Sequence, residues 1–263
     1  MHIILTGPTG LVGTGVLNYI LQHSLPSGQI SKLTLLSRSP VPLAANNPSV
    51  TIIEHKDFTS YPPSLLSQLR GAHGVIWAQG ISQNAVGKDE YQQITHDYPV
   101  AAAKAFAGLN EGEEEEGKKG FNFVYVSGEG ATQKPGMFTP IFGRVKGEAE
   151  SALLSLPSSP QYSNLRPYAV RPGGVDPYDD PATLAWWAGN RPIDYIKRFG
   201  KLVFPVFRAV YSDMVSPTAE LGRYLTGLAI GNGDPVKGND VQGEGRIVPN
   251  KAIRRIVREG GVP

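Results

Sequence analysis

Three glycines spaced three residues apart follow the first apolar run of the chain. The run covers residues 2–5, and Gly7, Gly10 and Gly13 follow it within the segment TGPTGLVG. Residues 14–22 then have the apolar pattern of a helix. A strand, a glycine-rich turn and a helix start in this order are typical of the βα unit that binds the pyrophosphate of a dinucleotide. The sequence therefore predicts such a site within its first fifteen residues.

Each glycine has its own physical role in this interpretation. Gly7 permits the tight turn, Gly10 lets backbone N–H groups approach the phosphates, and Gly13 lets the helix pack closely on the strand. The helix N-terminus then offers unpaired donors and a favourable dipole to an anion. A tight turn that binds no ligand has the same pattern, but the position between a strand and a helix favours the ligand. The residues between the glycines complete the predicted loop: Thr9, Leu11 and Val12.

Strand and helix patterns alternate through the first two-thirds of the chain. The predicted strands are residues 2–5, 32–37, 50–54, 74–78, 121–126 and 168–171. The predicted helices after the first are residues 63–69, 89–109 and 143–156. Apolar strands that alternate with helices indicate a parallel sheet covered on both faces. Right-handed crossovers then give a doubly wound α/β Rossmann sheet in the order 3-2-1-4-5-6, with its ligand at the carboxyl ends of the strands.

The alternation fades after Pro172, which predicts a division of the chain. We expect a dinucleotide-binding domain at residues 1–175, a small substrate lobe at 176–246, and a return to the main body at 247–263. Aromatic residues of the lobe form either a wall of an apolar substrate pocket or, by the plainer interpretation, the lobe's own core or a subunit interface. These are Trp186, Trp187, Tyr195, Phe199, Phe204, Phe207 and Tyr211. The acidic run in residues 110–120 is interpreted as a solvated loop.

Composition excludes several classes of function. The chain has 25 basic and 23 acidic residues and a formal net charge of +2, which gives no reason to expect nucleic acid or a membrane as partner. It has no cysteine, which excludes disulfides, zinc–thiolate sites and cysteine nucleophiles, and we predict no metal site. The apolar stretch at 202–210 is interrupted by Pro205 and Arg208 and is too short to span a bilayer. We therefore expect a soluble, cytoplasmic protein.

The ends of the predicted strands suggest the type of dinucleotide. Arg38 follows the second strand, where an NAD enzyme usually presents an acidic residue to the ribose. An arginine there can pair with a 2′-phosphate, so NADP(H) is predicted as the cofactor, although a surface arginine in a loop has the same appearance. Asp57 and Phe58, after the third strand, are expected beside the adenine. Small residues after the fourth strand leave room for the cofactor in the segment Ala78, Gln79 and Gly80.

Three further motifs follow in order along the chain. Residues 127–130 are SGEG, residues 146–150 are KGEAE, and residues 171–173 are RPG. With the glycine loop, these motifs resemble the short-chain dehydrogenase/reductase superfamily, and specifically its atypical members related to the Tat-interacting protein and to NmrA-like regulators. The resemblance covers residues 1 to about 175. It supports the Rossmann fold and a nicotinamide dinucleotide, and it implies that Pro172 and Gly173 lie beside the cofactor.

The resemblance also implies a catalytic set with one departure. In the superfamily a serine follows the fifth strand, and a tyrosine and a lysine lie four residues apart on the next helix, where they share one face. The matching positions are Ser127 and Lys146, and the resemblance also implies that both lie beside the cofactor, where the lysine holds the nicotinamide ribose. The tyrosine position holds Phe142. Phenylalanine has no proton to donate. Other hydroxyl or imidazole groups stay open as substitutes, with none assigned: Thr139, Tyr178, His96 and Tyr98.

Three functions are compatible with these residues. The first is an NADPH-dependent reductase of a small, apolar carbonyl or conjugated substrate, with a non-standard proton donor. The second is a sensor or scaffold that binds NADP(H) without redox turnover, which Phe142 favours. The third is an isomerase or cyclase that keeps the cofactor as part of its pocket. Superfamily members often pair through helices beside the sheet, so a homodimer is a further expectation.

Overall fold

The computed structural model describes residues 1–110, 120–190 and 212–261, and it contains a parallel sheet of seven strands. The order across this sheet is β3-β2-β1-β4-β5-β6-β9, which confirms the predicted doubly wound α/β topology. A separate parallel pair joins β7 to β8. The strands are β1 His2–Thr6, β2 Lys32–Ser37, β3 Val50–Glu54, β4 Ala72–Trp77, β5 Phe121–Val126, β6 Leu165–Arg171, β7 Gly174–Asp176, β8 Val215–Pro217 and β9 Ile247–Pro249.

Helices cover both faces of the large sheet. In the described ranges they are α1 Leu11–Tyr19, α2 Pro63–Leu69, α3 Lys88–Gln92, α4 Tyr98–Phe106, α5 Ile141–Ser155, α6 Pro181–Asn190, α7 Thr218–Ile230 and α8 Asn250–Arg258. No helix in these ranges is long and apolar enough to cross a membrane.

The helix predicted at residues 89–109 is divided into α3 and α4 by a π-helical turn, Gln93–Asp97. Proline has no N–H to donate to the carbonyl four residues earlier, so Pro99 leaves the carbonyl of Thr95 without its helical partner. The hydroxyl of Tyr125 on β5 donates to that carbonyl at 3.0 Å. The carbonyl that Pro99 leaves without a helical partner therefore links this helical segment to β5 through a hydrogen bond.

The core has two layers because side chains alternate along each strand. On β1, Ile3 and Leu5 belong to the cluster that includes α1 and α7, whereas Ile4 belongs to the cluster that includes α2, α4 and α5. All three side chains are fully buried. Two apolar faces on one strand explain why the sequence shows a continuous apolar run there.

The C-terminal part of the chain returns to the sheet. β9 pairs with β6 in parallel, through Ala169 with Ile247, Val170 with Val248 and Arg171 with Pro249. α7 packs against α1 and β4 on one face of the sheet. The acidic segment at 111–119 lies outside the described residues, and so do the aromatic residues predicted for the lobe between 191 and 211.

Candidate cofactor and substrate site

The glycine loop between β1 and α1 has no room for two side chains. Gly7 has a φ of +64°, and a Cβ added to it would lie 2.6 Å from the carbonyl oxygen of Ala78. A Cβ added to Gly13 would lie 2.0 Å from the carbonyl oxygen of Gly7. Both contacts are with backbone, which cannot rotate away. Glycine is therefore required at both positions for the helix to start this close to the strand.

The N-terminus of α1 has free hydrogen-bond donors. Gly10 caps the helix without a side-chain hydrogen bond, and the first intrahelical bond runs from Thr14 N to Gly10 O at 2.8 Å. The N–H groups of Leu11, Val12 and Gly13 precede that bond, so the helix gives them no acceptor. This is the donor arrangement that an anion at a helix N-terminus requires.

A cavity of about 200 Å³ lies between the glycine loop and the carboxyl ends of β2 and β3. Arg38 lines it with an exposed guanidinium, and no acidic residue of the described chain does so. Asp57 is not among its lining residues, and its Oδ1 accepts hydrogen bonds from Thr59 N at 3.0 Å and Thr59 Oγ1 at 2.5 Å. The full lining is Gly7, Thr9, Gly10, Leu36, Ser37, Arg38, Ser39, Phe58, Ala78, Gln79 and Gly80.

A cavity of about 770 Å³ continues from the first one along the sheet edge. The two share Gly10, Ala78, Gln79 and Gly80. Six other predicted site residues line the larger cavity: Leu11, Val12, Ser127, Lys146, Pro172 and Gly173. Residues that were not predicted also line it: Ile81, Ser82, Val126, Gly128, Glu129, Phe142, Gly174, Val175, Asp213, Met214 and Lys251.

Gln79 lies where the two cavities meet. Its side-chain Oε1 and Nε2 are both buried, and neither has a hydrogen-bond partner within the described ranges. Buried amides almost always have partners, and an orphaned one indicates a missing ligand or water. The residues present therefore fit a long polar ligand that passes from one cavity to the other.

Lys146 lies on the floor of the larger cavity, on α5. Its Nζ donates to the carbonyl oxygens of Val126 at 3.0 Å and Ser127 at 2.8 Å. It also lies 5.5 Å from the ring centre of Tyr125 and 5.7 Å from that of Phe142. Burial lowers the pKa of Lys146 to about 8, and the nearby Glu150 carboxylate opposes part of this effect.

The hydroxyl of Ser127 is held by an ion pair beneath the cavity. Ser127 Oγ lies 2.6 Å from Glu150 Oε1, and the same carboxylate accepts from Arg171 Nε at 2.8 Å and Arg171 Nη2 at 2.5 Å. Glu150 is fully buried. A carboxylate held by a guanidinium can only accept, so the Ser127 proton points to Glu150 and away from any ligand. Ser127 thus lines the cavity without offering it a hydroxyl proton.

The ring of Phe142 lies against the backbone of Gly128. A Cβ added to Gly128 would lie 2.9 Å from Phe142 Cζ, so the ring occupies the space beside that backbone. Phe142 N donates to Gln83 Oε1 at 2.9 Å, which fixes the start of α5 against the loop after β4. Neither residue carries a hydroxyl into the cavity.

The open substitutes for the tyrosine do not line either cavity. Thr139 Oγ1 accepts from Gly136 N at 2.8 Å, and Pro140 is the N-cap residue of α5. Tyr178 N donates to Asp176 Oδ1 in a turn. His96 Nδ1 lies 2.7 Å from Asp97 Oδ1.

The outer wall of the larger cavity comes from far along the chain. Gly173 N donates to Ser216 Oγ at 2.9 Å, and Ser216 Oγ donates to Asn250 Oδ1 at 2.5 Å. Glu129 Oε1 accepts from Asn250 N at 2.7 Å at the start of α8. These bonds hold Asp213, Met214 and Lys251 at the cavity. No local motif in the sequence marks these residues.

Two fungal proteins are similar in sequence. Leucinostatins biosynthesis cluster protein T of Purpureocillium lilacinum is 34% identical over 272 residues, which cover 97% of this chain and 94% of that protein. Botcinic acid biosynthesis cluster B protein 16 of Botryotinia fuckeliana (strain B05.10) is 38% identical over 164 residues, which cover 60% of this chain and 97% of that protein. No family model matches the chain.

Solved structures with the same fold are distant in sequence. An oxidoreductase of the short-chain dehydrogenase/reductase family from Burkholderia thailandensis has a TM-score of 0.60 at 13% identity, over 98% of this chain and 96% of that one. MoeE5 in complex with UDP-glucuronic acid and NAD has a TM-score of 0.60 at 16% identity, over 94% of this chain and 75% of that one. DesIV, a dTDP-glucose 4,6-dehydratase from Streptomyces venezuelae with NAD bound, has a TM-score of 0.59 at 11% identity, over 100% of this chain and 82% of that one.

The match to the leucinostatins protein covers nearly all of both chains, and the match to the Burkholderia oxidoreductase covers nearly all of both folds. The chain belongs to the family of leucinostatins biosynthesis cluster protein T, with the Rossmann fold of the short-chain dehydrogenase/reductase superfamily.

Proposed function

We propose that this protein is an NADP(H)-dependent oxidoreductase that acts on a small, largely apolar carbonyl or conjugated substrate. The observation that supports this most strongly is the pair of cavities that meet at Gly10, Ala78, Gln79 and Gly80, beside the free donors of α1. A dinucleotide is a ligand with two halves joined by a pyrophosphate, which matches two cavities joined at a helix N-terminus.

The smaller cavity would take the adenosine half. Arg38 would pair with the 2′-phosphate, Phe58 would contact the adenine, and the amides of Leu11 and Val12 would bind the pyrophosphate. Asp57 would lie beside the adenine, with its Oδ1 bound to Thr59 N and Thr59 Oγ1 in the adjacent turn. The amide of Gln79 would find its missing partners on the sugar and phosphate groups between the halves.

The larger cavity would take the nicotinamide half and the substrate. When bound, the nicotinamide supplies or accepts a hydride. Lys146 uses two of its three N–H donors on main-chain carbonyls, which leaves one for a ligand in the cavity. With Phe142 in the tyrosine position and Ser127 bound to Glu150, Lys146 is the residue that we propose as donor to the substrate oxygen. A pKa near 8 suits this role, since the group is then mostly protonated at neutral pH and still able to release its proton.

The relatives support a small-molecule substrate. Both are named as proteins of biosynthesis clusters, and the solved structures with the same fold include complexes with NAD and with sugar nucleotides. The apolar lining of the larger cavity here favours a less polar substrate than a sugar nucleotide.

A fluorescence titration with NADPH, NADP⁺ and NADH tests the cofactor directly. Trp77 lies 5.8 Å from Phe58 between ring centres and would report on occupation of the smaller cavity. We expect NADPH to bind more tightly than NADH, and Arg38→Ala to weaken NADPH by about ten- to a hundredfold with little effect on NADH, since a charge-assisted pair is lost. Arg70→Ala, at an exposed arginine that lines neither cavity, is the matched control. Absence of binding by all three dinucleotides would refute the proposal.

A second candidate is a protein that binds NADP(H) without redox turnover. It is supported by Phe142, Gly128 and the bound hydroxyl of Ser127, which together leave the cavity without the superfamily's hydroxyl groups. Such a protein should distinguish NADP⁺ from NADPH in affinity and consume neither in a carbonyl substrate screen. Product formation with no change in NADPH absorbance would instead support an isomerase or cyclase.

A further inference from the structure

The loop between β5 and α5 presents two large apolar side chains to solvent, which we call the apolar tip. Met137 is 88% exposed and Phe138 is 93% exposed. The other exposed large apolar side chains in the described ranges are Ile52 on β3, at 38%, and Met214 in the wall of the larger cavity, at 59%. Single exposed apolar residues are ordinary, but two adjacent ones this far exposed indicate an interaction site.

A tight turn holds the apolar tip away from the core. Thr139 N donates to Gly136 O at 3.2 Å, and Gly136 N donates to Thr139 Oγ1 at 2.8 Å. Met137 and Phe138 therefore occupy the two central positions of the turn. Glycine, proline, asparagine, aspartate and serine are the usual residues there, so the conformation of the turn does not explain two large apolar side chains.

Two cations flank the apolar tip. Lys134 is exposed three residues before Met137, and the exposed Arg144 on α5 reaches the turn, where its Nη2 donates to Gly136 O at 3.4 Å. Neither cation forms an ion pair with another of the described residues. Residues 130–147 include no aspartate or glutamate. The surface around the tip is therefore basic, although the whole chain has a formal net charge of only +2.

The size of the apolar tip favours a lipid bilayer over a protein as its partner. A stable protein interface buries about 1,200–2,000 Å² and takes roughly 20–30 residues on each side, whereas this surface is two side chains on one turn. A bilayer requires no matching groove. Its interfacial region takes up phenylalanine and other apolar side chains, and its anionic headgroups attract lysine and arginine.

We propose that Met137 and Phe138 insert into the surface of a phospholipid bilayer, with Lys134 and Arg144 against anionic headgroups. Binding of this kind is weak and reversible, because a short apolar segment and a few cations are each insufficient alone and act together. The proposed binding does not depend on a cofactor or a substrate, so it goes beyond the proposed function.

The loop that carries the apolar tip also forms part of the larger cavity. Gly128 and Glu129, at the start of the loop, line that cavity, and so does Phe142 on the helix that follows it. A tip bound to lipid would therefore hold the cavity close to the bilayer. An apolar substrate would concentrate there, a consequence that rests on the proposed function, whereas the lipid binding itself does not.

Co-sedimentation of the full chain with vesicles tests the inference without cofactor or substrate. The vesicles contain phosphatidylcholine alone or with about 30% phosphatidylserine, which gives them an anionic surface. We expect binding to the mixed vesicles that falls several-fold at high salt, and weaker binding to phosphatidylcholine alone. The double variant Met137→Ser, Phe138→Ser should bind about tenfold more weakly than the wild type. Ile52→Ser, at the exposed isoleucine of β3, is the matched control and should bind as the wild type does.

Two further variants test the charges and the insertion separately. Lys134→Glu should weaken binding to the mixed vesicles about fivefold or more. Lys104→Glu makes the same change in net charge at an exposed position of α4, and should have little effect. The emission of Phe138→Trp should shift to the blue with mixed vesicles and be quenched by brominated phosphatidylcholine, beyond any change in the wild type, which has three tryptophans.

Three outcomes would overturn the inference. The first is no binding to either kind of vesicle, and the second is binding that survives the double serine change. The third is a wild-type dimer in sedimentation velocity that the double serine variant converts to a monomer, which would assign the apolar tip to a second copy of the chain. All variants should keep the melting temperature and NADPH affinity of the wild type, so a loss of vesicle binding is distinct from a failure of the proposed function.

Discussion

The ring of Phe142 lies against the backbone of Gly128, where a Cβ would come within 2.9 Å of Phe142 Cζ. The two positions are fourteen residues apart, one in a loop and the other on α5. Both residues line the larger cavity, and the absence of a side chain at Gly128 leaves the space that the Phe142 ring occupies. A side chain at position 128 requires the ring at position 142 to move.

We predict that Gly128→Ala lowers the free energy of unfolding by about 1 kcal/mol, because the ring must shift to admit a methyl group. In a Phe142→Leu background, which lacks Cζ, the same change should cost little. Urea unfolding of the wild type, the two single variants and the double variant gives the coupling energy between positions 128 and 142. Gly80→Ala is the control, since a Cβ there meets nothing within 4 Å. Equal costs in both backgrounds would contradict the pairing.

Gly13→Ala should disrupt the glycine loop. Its Cβ would lie 2.0 Å from Gly7 O, so the backbone must move and α1 must shift from its start. We expect a loss of about 2 kcal/mol or more in unfolding free energy and at least tenfold weaker NADPH binding. Gly136→Ala, at an open loop position, should change neither quantity. Chemical denaturation and fluorescence titration measure both, and unchanged binding in Gly13→Ala would argue against the loop as a pyrophosphate site.

Glu150→Gln should be strongly destabilising. The change leaves the guanidinium of Arg171, which is 8% exposed, without its counter-charge, and breaking such a pair costs about 3–5 kcal/mol. Replacing both residues with methionine should recover much of the loss, because no charge is then buried alone. Glu148→Gln, at an exposed position on the same helix, is the control. A shift in denaturation midpoint no larger than that of the control would show that the ion pair contributes little.

Acid should weaken the fold through His2. Its ring is buried and its Nε2 lies 2.8 Å from Thr34 Oγ1, and burial lowers the pKa of His2 from 6.5 to about 4. Between these values the unfolded chain binds a proton that the folded chain does not, so stability is lost as pH falls from about 6.5 to about 4. The loss from this residue should approach about 3 kcal/mol.

Urea unfolding of the wild type and His2→Gln at neutral pH and at about pH 4.5 measures this term. The variant should lose less stability on acidification than the wild type. His23→Gln, at an exposed histidine, should behave as the wild type does. An identical pH dependence in His2→Gln would remove this histidine as the cause.

Local patterns were enough to predict the sheet. β2, β3, β5 and α2 begin and end at the predicted residues, because their apolar runs end abruptly at polar or turn residues. The break between α3 and α4 was missed, since it depends on a hydrogen bond between Tyr125 and Thr95 from different elements. A helix boundary that depends on tertiary contacts cannot be predicted from the local apolar pattern of the sequence.

The site was predicted only in part, for the same reason. The glycine loop and Arg38 are recognisable because their chemistry depends on adjacent residues. The bond from Ser127 to Glu150 joins α5 to the residue that follows β5, which no spacing along the chain indicates. Met214 and Lys251 reach the cavity through the contacts of Ser216 and Asn250, so they could not be identified from the sequence alone.

β9 pairs with the last three residues of β6, and it is followed directly by the helix that brings Lys251 to the cavity. During synthesis, all the residues between Arg171 and Ile247 must be added before β9 can pair with β6. Until then the growing chain presents a bare strand to any neighbour, which is a common route to aggregation. Pairing of this edge and completion of the larger cavity therefore depend on the same late segment of the chain.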